Sequence, residues 1–357
     1  MVMRKKKWLR GVMAMAVAGS LLISAAPGSL QAPKASAAVK LTGKTKKVAY
    51  RNTYVGKHGR LRVKGTKLVD KKGKAVQLRG ISSHGINWDV GEPFVNEKAL
   101  QNLRDEWGVN CFRVAMYTED YNGYCVTDTA SRKKLLAKID TAVKAGRKLG
   151  MYVIIDWHIL SDGNPKIYEK NAGKFFTYFS RKYGKQKNIL YEICNEPNGN
   201  VTWAKDIKPY ARRIIKKIRK YDKKNIIIAG SSTWSQDVDQ TAKSPLKGKN
   251  IAYSLHFYAA THKENLQQKL KTAYKAGLPI LVTEFSICDA SGNGAIDKSS
   301  GKKWIKLLKK YKIGFIAWSL CNKQESASLI KASCSKTGNF KKSDLSKTGK
   351  WILAQMK

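Results

Sequence analysis

Eight times in this chain an apolar run suited to a buried strand is followed by a stretch of helical or loop character, and that rhythm constrains the fold more than any other feature. Strand ends fall near Gly85, Tyr117, His158, Glu196, Gly230, Tyr258, Glu284 and Leu320, at spacings of 32, 41, 38, 34, 28, 26 and 36 residues. Amphipathic helical patterns occupy 97–107, 132–149, 172–183, 203–221, 264–276, 298–311 and 343–356, with only a short, weakly helical link after Gly230. Strands that are apolar throughout belong in a parallel sheet covered by helices. Eight such units suit a closed (β/α)8 TIM barrel better than an open doubly wound sheet, and no glycine-rich phosphate fingerprint follows the first strand. Ahead of them, 60–63 and 75–78 flank turns at Gly65 and Lys72-Gly73 and predict an N-terminal β-hairpin.

The first forty residues have a different character. Arg4 and Lys5 to Lys7 precede an apolar run from Val12 to Ile23, and Ala35-Ser36-Ala37-Ala38 follows. Basic, apolar and small-residue regions in that order predict a secretory signal peptide over 1–38, too short to span a membrane, hence an exported, extracellular protein. Residues 39–55 read as a basic linker and 56–357 as one domain; no Pro/Thr-rich segment points to a second, separate module. The formal charge of +44 is large enough to attract an anionic cell surface through a salt-sensitive field, although most of the excess is Lys scattered along helix faces, as at Lys216-Lys217 and Lys309-Lys310. Six Cys in an exported chain permit disulfides, but none shows CxxC spacing, so no metal site is expected. Cys111 and Cys194 sit in strands and read as small buried hydrophobes. No cofactor, specific nucleic-acid partner or partner subunit is expected.

In a barrel of this kind, reactive groups gather at the C-terminal ends of the strands. Those positions carry His84, Arg113, Tyr117, His158, Asn195, Glu196, His256, Tyr258, Glu284 and Trp318. Singly, each has an ordinary explanation: a lone His is usually a hydrogen-bonded core residue, a lone Trp usually packing. Their convergence argues for a site. Ile189-Leu190-Tyr191-Glu192-Ile193-Cys194 runs into Asn195-Glu196-Pro197, and Pro279-Ile280-Leu281-Val282-Thr283 runs into Glu284. Two Glu at one end of one sheet are what hydrolysis of a glycosidic bond requires, one protonated and one ionised. Apolar surroundings would favour the protonated form of Glu196.

The motifs Ile81-Ser82-Ser83-His84-Gly85, Asp156-Trp157-His158, Asn195-Glu196-Pro197, Leu255-His256-Phe257-Tyr258, Thr283-Glu284-Phe285 and Lys323-Gln324-Glu325-Ser326 together resemble glycoside hydrolase family 5, with its bacterial endoglucanases, or cellulases, the nearest likeness. The resemblance spans 56–357 in the right order. It implies a retaining mechanism on β-1,4-glucan in which Glu196 is the acid/base and Glu284 the nucleophile. Arg113, His158, Asn195, His256 and Tyr258 would complete the catalytic group, with Asn195 bonding the 2-hydroxyl of the reacting sugar. It further implies substrate contacts from His84, Trp88, Tyr117, Trp318, Lys323 and Glu325, and a platform on the leaving-group side from Trp234, for which packing is an equal alternative. Many relatives carry Trp and Gly where this chain has Phe285 and Ser286. Mixed-linkage glucan, mannan and xylan stay open as substrates, and so does a non-catalytic protein holding an anionic polymer.

Overall fold

The structure, a computed structural model, describes Leu41 and residues 46–357; the expected signal peptide lies outside the described residues. A two-stranded antiparallel hairpin, β1 (Arg62–Lys64) and β2 (Lys67–Val69), turns at Gly65 and precedes the main sheet. It is tighter than expected: 75–78 does not pair with 60–63 but touches the hairpin through one bridge, Val69 with Ala75.

Eight parallel strands follow: β3 (Arg79–Ser83), β4 (Cys111–Tyr117), β5 (Tyr152–His158), β6 (Ile189–Glu192), β7 (Ile226–Ala229), β8 (Ile251–Tyr258), β9 (Ile280–Ser286) and β10 (Phe315–Leu320). They pair in chain order, and β10 closes on β3. Helices Thr129–Leu149, Glu169–Tyr183, Lys208–Tyr221, Glu264–Lys275 and Lys298–Tyr311 lie between strands, and Lys347–Gln355 follows the last. The weak link after β7 forms only two short turns, Ser232–Ser235 and Val238–Ala242. Local sequence explains the boundaries. Asp128 caps the longest helix by accepting from the Ala130 and Ser131 amides at 2.7 and 2.9 Å, and Gly150 ends it at φ 65°.

Part of the stretch expected as linker is built into the domain. Residues Tyr50–Asn52 and Tyr54–His58 form helical turns; Val55 is buried, and its amide bonds the Gly150 carbonyl at 2.9 Å. A side chain at Gly150 would collide with Thr53, so the turn seats only on glycine. Alternation along the strands sorts the residues. Phe112, Val114, Val153, Ile155, Tyr253 and Leu255 pack outward beneath the helices. Cys111, Tyr152, Ile154, Leu190, Ile226, Ile228, Ala252, Leu281 and Ile316 fill the lower half of the barrel. The upper half is polar. All six cysteines are free thiols. Among the described residues no helix is long and apolar enough to cross a membrane.

Candidate active site

Above the apolar layer sits a fully buried guanidinium. Arg113, on the inward face of β4, donates through Nε to Glu192 Oε2 at 2.7 Å, through Nη1 to Glu284 Oε2 at 3.0 Å and through Nη2 to Asn195 Oδ1 at 2.6 Å; Asp156 Oδ2 lies 3.0 Å from Nη2. A buried charge of this kind persists only where every donor is answered. Those carboxylates hold Arg113 in its charged form despite the burial that opposes it. Asn195 is pinned at its other end by Nδ2 donating to the Ile159 carbonyl at 3.0 Å.

Glu284 and Glu196 come together over this base. One oxygen of each carboxylate and a ring nitrogen of His256 lie within 4.8 Å of one another. Glu284 accepts from Arg113 on Oε2 and from the Tyr258 hydroxyl on Oε1 at 2.8 Å, a pair of donors suited to an ionised carboxylate. Glu196 Oε1 meets His256 Nδ1 at 2.8 Å. Close as they are, these donors are committed to one another and to Arg113 and Tyr258 rather than left open for a cation.

Two local features aim the carboxylates. The register of β9 slips by one residue against β8 between Leu281 and Glu284 and against β10 between Val282 and Phe285, a β-bulge. Strict alternation would point only one of Thr283 and Glu284 inward; with the bulge, both reach the interior. Strand β6 ends at Glu192, four residues earlier than expected, so Glu196 stands in the following loop. That loop is held by the segment after β7: Ser235 Oγ donates to the Asn195 carbonyl at 2.6 Å and the Trp234 amide to the Pro197 carbonyl at 3.0 Å. Gly230 lets the two segments approach, since a β-carbon there would lie 2.4 Å from the Cys194 carbonyl. Thr233, Trp234 and Ser235 all take positive φ, 55°, 52° and 58°, and Trp234 stands 45% exposed.

The electrostatics divide the histidines. Burial drives His158 down to about 3, helped by the field of Arg113, and its Nδ1 meets Asp156 Oδ2 at 2.6 Å. Burial also lowers His84 to about 3, with Lys323 and His158 adding to the effect. His256 goes the other way: burial pulls it down, but Glu192, Glu196 and Glu284 outweigh that and lift it to about 9. Asp156 is raised well above the usual carboxylate range by burial and by Glu192 and Glu284, against Arg113, whereas Glu192 is held at about 2 because Arg113, His256 and Thr283 overcome its own burial.

A cleft of about 670 Å³ opens over the pair, lined by His84, Tyr117, His158, Trp234, Trp318, Lys323 and Glu325 together with Glu196, His256, Tyr258 and Glu284. Trp318 stacks on His158, centroids 5.3 Å apart at 19°. Lys323 Nζ pairs with Glu325 at 2.6 Å. Trp88 stands behind this lining, edge-on to Tyr117 with centroids 4.5 Å apart, and Arg113 and Asn195 lie beneath the floor. Sequence reasoning passed over Glu192, Asp156, Ser254 and Thr283; the signal available was a charged or hydroxyl residue inside an otherwise apolar strand. A second groove, about 890 Å³, lies at the other mouth of the barrel beside the hairpin. Arg62, Lys64, Lys71, Lys72 and Lys249 line it, and it holds no carboxylate pair.

A closed ring of eight strands with two carboxylates this close above a buried arginine defines the class: a (β/α)8 barrel with a carboxylate-pair centre. Residues 69–324 match the family model for cellulase, glycosyl hydrolase family 5. The chain is 47% identical over 294 residues to an endoglucanase of Clostridium saccharobutylicum, covering 82% of this chain and 64% of that one. It is 41% identical over 300 residues to endoglucanase A of Butyrivibrio fibrisolvens, covering 84% and 69%. The catalytic domain of Thermobifida fusca endoglucanase Cel5A superposes with a TM-score of 0.80 at 33% identity, covering 85% of this chain and 99% of that domain. The chain belongs to glycoside hydrolase family 5.

Proposed function

We propose that the chain is a retaining endo-β-1,4-glucanase acting on cellulose and related β-glucans by double displacement. The observation that carries this reading is the approach of the Glu196 and Glu284 oxygens to within 4.8 Å, which suits direct attack on the anomeric carbon and leaves no room for the water an inverting enzyme places between its carboxylates. Relatives in the family support the substrate class: the solved Thermobifida fusca domain has also been captured with cellotetraose.

Glu196 protonates the leaving oxygen as the glycosidic bond breaks, and Glu284 forms the bond to carbon. Glu196 then takes a proton from the water that releases the sugar. Arg113 and Tyr258 keep negative charge on Glu284 before attack, and Asn195 bonds the 2-hydroxyl. Trp318 offers an apolar ring face to glucose, with Trp234 as the open platform on the leaving-group side. His84, buried with Nδ1 unpartnered, together with Tyr117, Lys323 and Glu325, bonds sugar hydroxyls at the rim, and Trp88 supports Tyr117 and His84 from behind. The chain acts as a monomer outside the cell, released from a signal peptide over 1–38, with its positive surface attracted to anionic cell walls.

The test is proton NMR of the first sugar end released from a soluble β-1,4-glucan, with mannan and xylan in parallel. The β-anomer should appear first and glucan should be cleaved fastest. First release of the α-anomer, or no cleavage of any β-glycan, overturns the reading.

A further inference from the structure

Beneath the acid/base, a chain of short contacts leads away from the cleft. His256 presents Nδ1 to Glu196 Oε1 at 2.8 Å and Nε2 to Thr283 Oγ1 at 2.9 Å. Thr283 Oγ1 in turn lies 2.5 Å from Glu192 Oε1 and in close contact with Ser254 Oγ, which is 3.2 Å from the same carboxylate oxygen. All of these side chains are buried. Donor and acceptor chemistry fixes the direction of the chain. An ionised carboxylate only accepts, so the single Thr283 hydrogen goes to Glu192, and the Thr283 oxygen must accept from His256. The proton on Nε2 is thereby assigned, and Nδ1 becomes the variable position. It accepts from a protonated Glu196 when the ring is neutral, and donates to the Glu196 carboxylate when the ring is charged.

We propose that Glu192, acting through the Thr283 hydroxyl, is the positioning residue that fixes the tautomer of His256 and so sets the pH at which the Glu196–His256 pair loses the proton used in catalysis. The inference rests on the reading of Glu196 as acid/base and extends it to two residues with no direct access to substrate. In the reactive state the pair holds two protons, one on Nδ1 donated to Glu196 Oε1 and one on the other Glu196 oxygen; the leaving oxygen takes the second as the glycosidic bond breaks, and the new carboxylate keeps the Nδ1 hydrogen of the charged His256. Glu192 is the anion that keeps this ring charged.

Other groups face the relay. On β4 these are Arg113 and the Cys111 thiol, on β5 Asp156 and His158, on β8 Tyr258 and on β9 Glu284; β7 contributes only Ile226 and Ile228. Burial keeps the Cys111 thiol and Tyr258 phenol protonated and His158 neutral, while Arg113 stays charged. Asp156, raised well above the usual range, is the competing source of an alkaline change. It touches His158 and Arg113 but not Thr283, so a variant at Thr283 separates the two.

The experiment compares pH profiles of kcat/KM on a soluble β-1,4-glucan for the wild type, Glu192→Gln, Thr283→Val and Thr283→Ser. Removing a buried anion weakens the hold of its neighbours on protons, so Glu192→Gln should move the alkaline limb down by at least about one pH unit. Thr283→Val, which leaves every charge in place, should move the same limb in the same direction, and Thr283→Ser should restore it. The loss of rate should be roughly tenfold or more on glucan and much smaller on an aryl cellobioside whose phenolate leaves without acid assistance. In ¹⁵N-histidine spectra, the His256 ring, assigned by its disappearance in His256→Gln, should carry its proton on Nε2 when neutral in the wild type. In Glu192→Gln, whose amide can donate to Thr283, the neutral ring should switch to the Nδ1 form. An unmoved limb in both Glu192→Gln and Thr283→Val, or an unchanged His256 tautomer in Glu192→Gln, overturns the relay. Wild-type protein that cleaves no glucan overturns instead the function on which it rests.

Discussion

The interior of the barrel is divided into two halves built on the same strands. On β5, Ile154 belongs to an apolar plug with Cys111, Leu190, Ile228, Leu281 and Ile316; two residues later, Asp156 belongs to a cluster of charge with Arg113, Glu192 and Glu284. The lower half stabilises the fold by removing apolar surface from water. The upper half strips water from charges, and a buried pair of this sort is often no better for stability than apolar residues of the same volume. A step of two residues along one strand therefore crosses from a layer that holds the fold together to a layer that does chemistry at its expense.

That contrast can be broken or sharpened by substitution. The largest effect should come from Glu284→Gln, which should lower kcat on glucan by roughly 10³-fold or more while Tm stays level or rises, because a cluster crowded with carboxylates loses one charge. Azide should restore turnover to Glu284→Ala as the glycosyl azide. A marked fall in Tm with substantial activity would reverse the roles given to the two halves. Next, Ile154→Ala should destabilise by about 2–5 kcal/mol in urea unfolding and leave kcat within about twofold at a temperature where the protein stays folded. His256 supplies a pH test with a definite sign. Its pKa rises from the ordinary 6.5 to about 9 on folding, so its contribution is complete below pH 6.5 and is lost as pH climbs through 9. Wild-type stability should fall relative to His256→Gln by on the order of 3 kcal/mol across that window. The smallest effect belongs to the rim: Trp234→Ala should raise KM for long glucans roughly two- to tenfold with kcat nearly unchanged.

The architecture was legible because it is periodic. Apolar strands and amphipathic helices announce a wound barrel, and the strand-end positions of His84, Arg113, His158, Glu196, His256, Glu284 and Trp318 follow from that rhythm. Irregularity was not legible. Nothing in Ile280-Leu281-Val282-Thr283-Glu284 marks a bulge, which arises from how β9 registers against β8 and β10. Glu192 was visible within the strand that precedes Glu196, but period-two reasoning weighs only whether a side chain faces inward, not what it meets there. Its partners lie 79 and 91 residues away, at Arg113 and Thr283. The turn at Tyr54–His58 was obscured by the surrounding Lys and Arg, while the residues that seat it are Thr53, Val55 and a distant glycine.

The slip in β9 makes the direction of Thr283 a matter of counting. Removing Val282 would restore regular pairing and leave Glu284, then two residues after Leu281, facing inward, while Thr283 would turn toward the helices. A chain trimmed in that way would keep both carboxylates where they stand and lose only the hydroxyl beneath them.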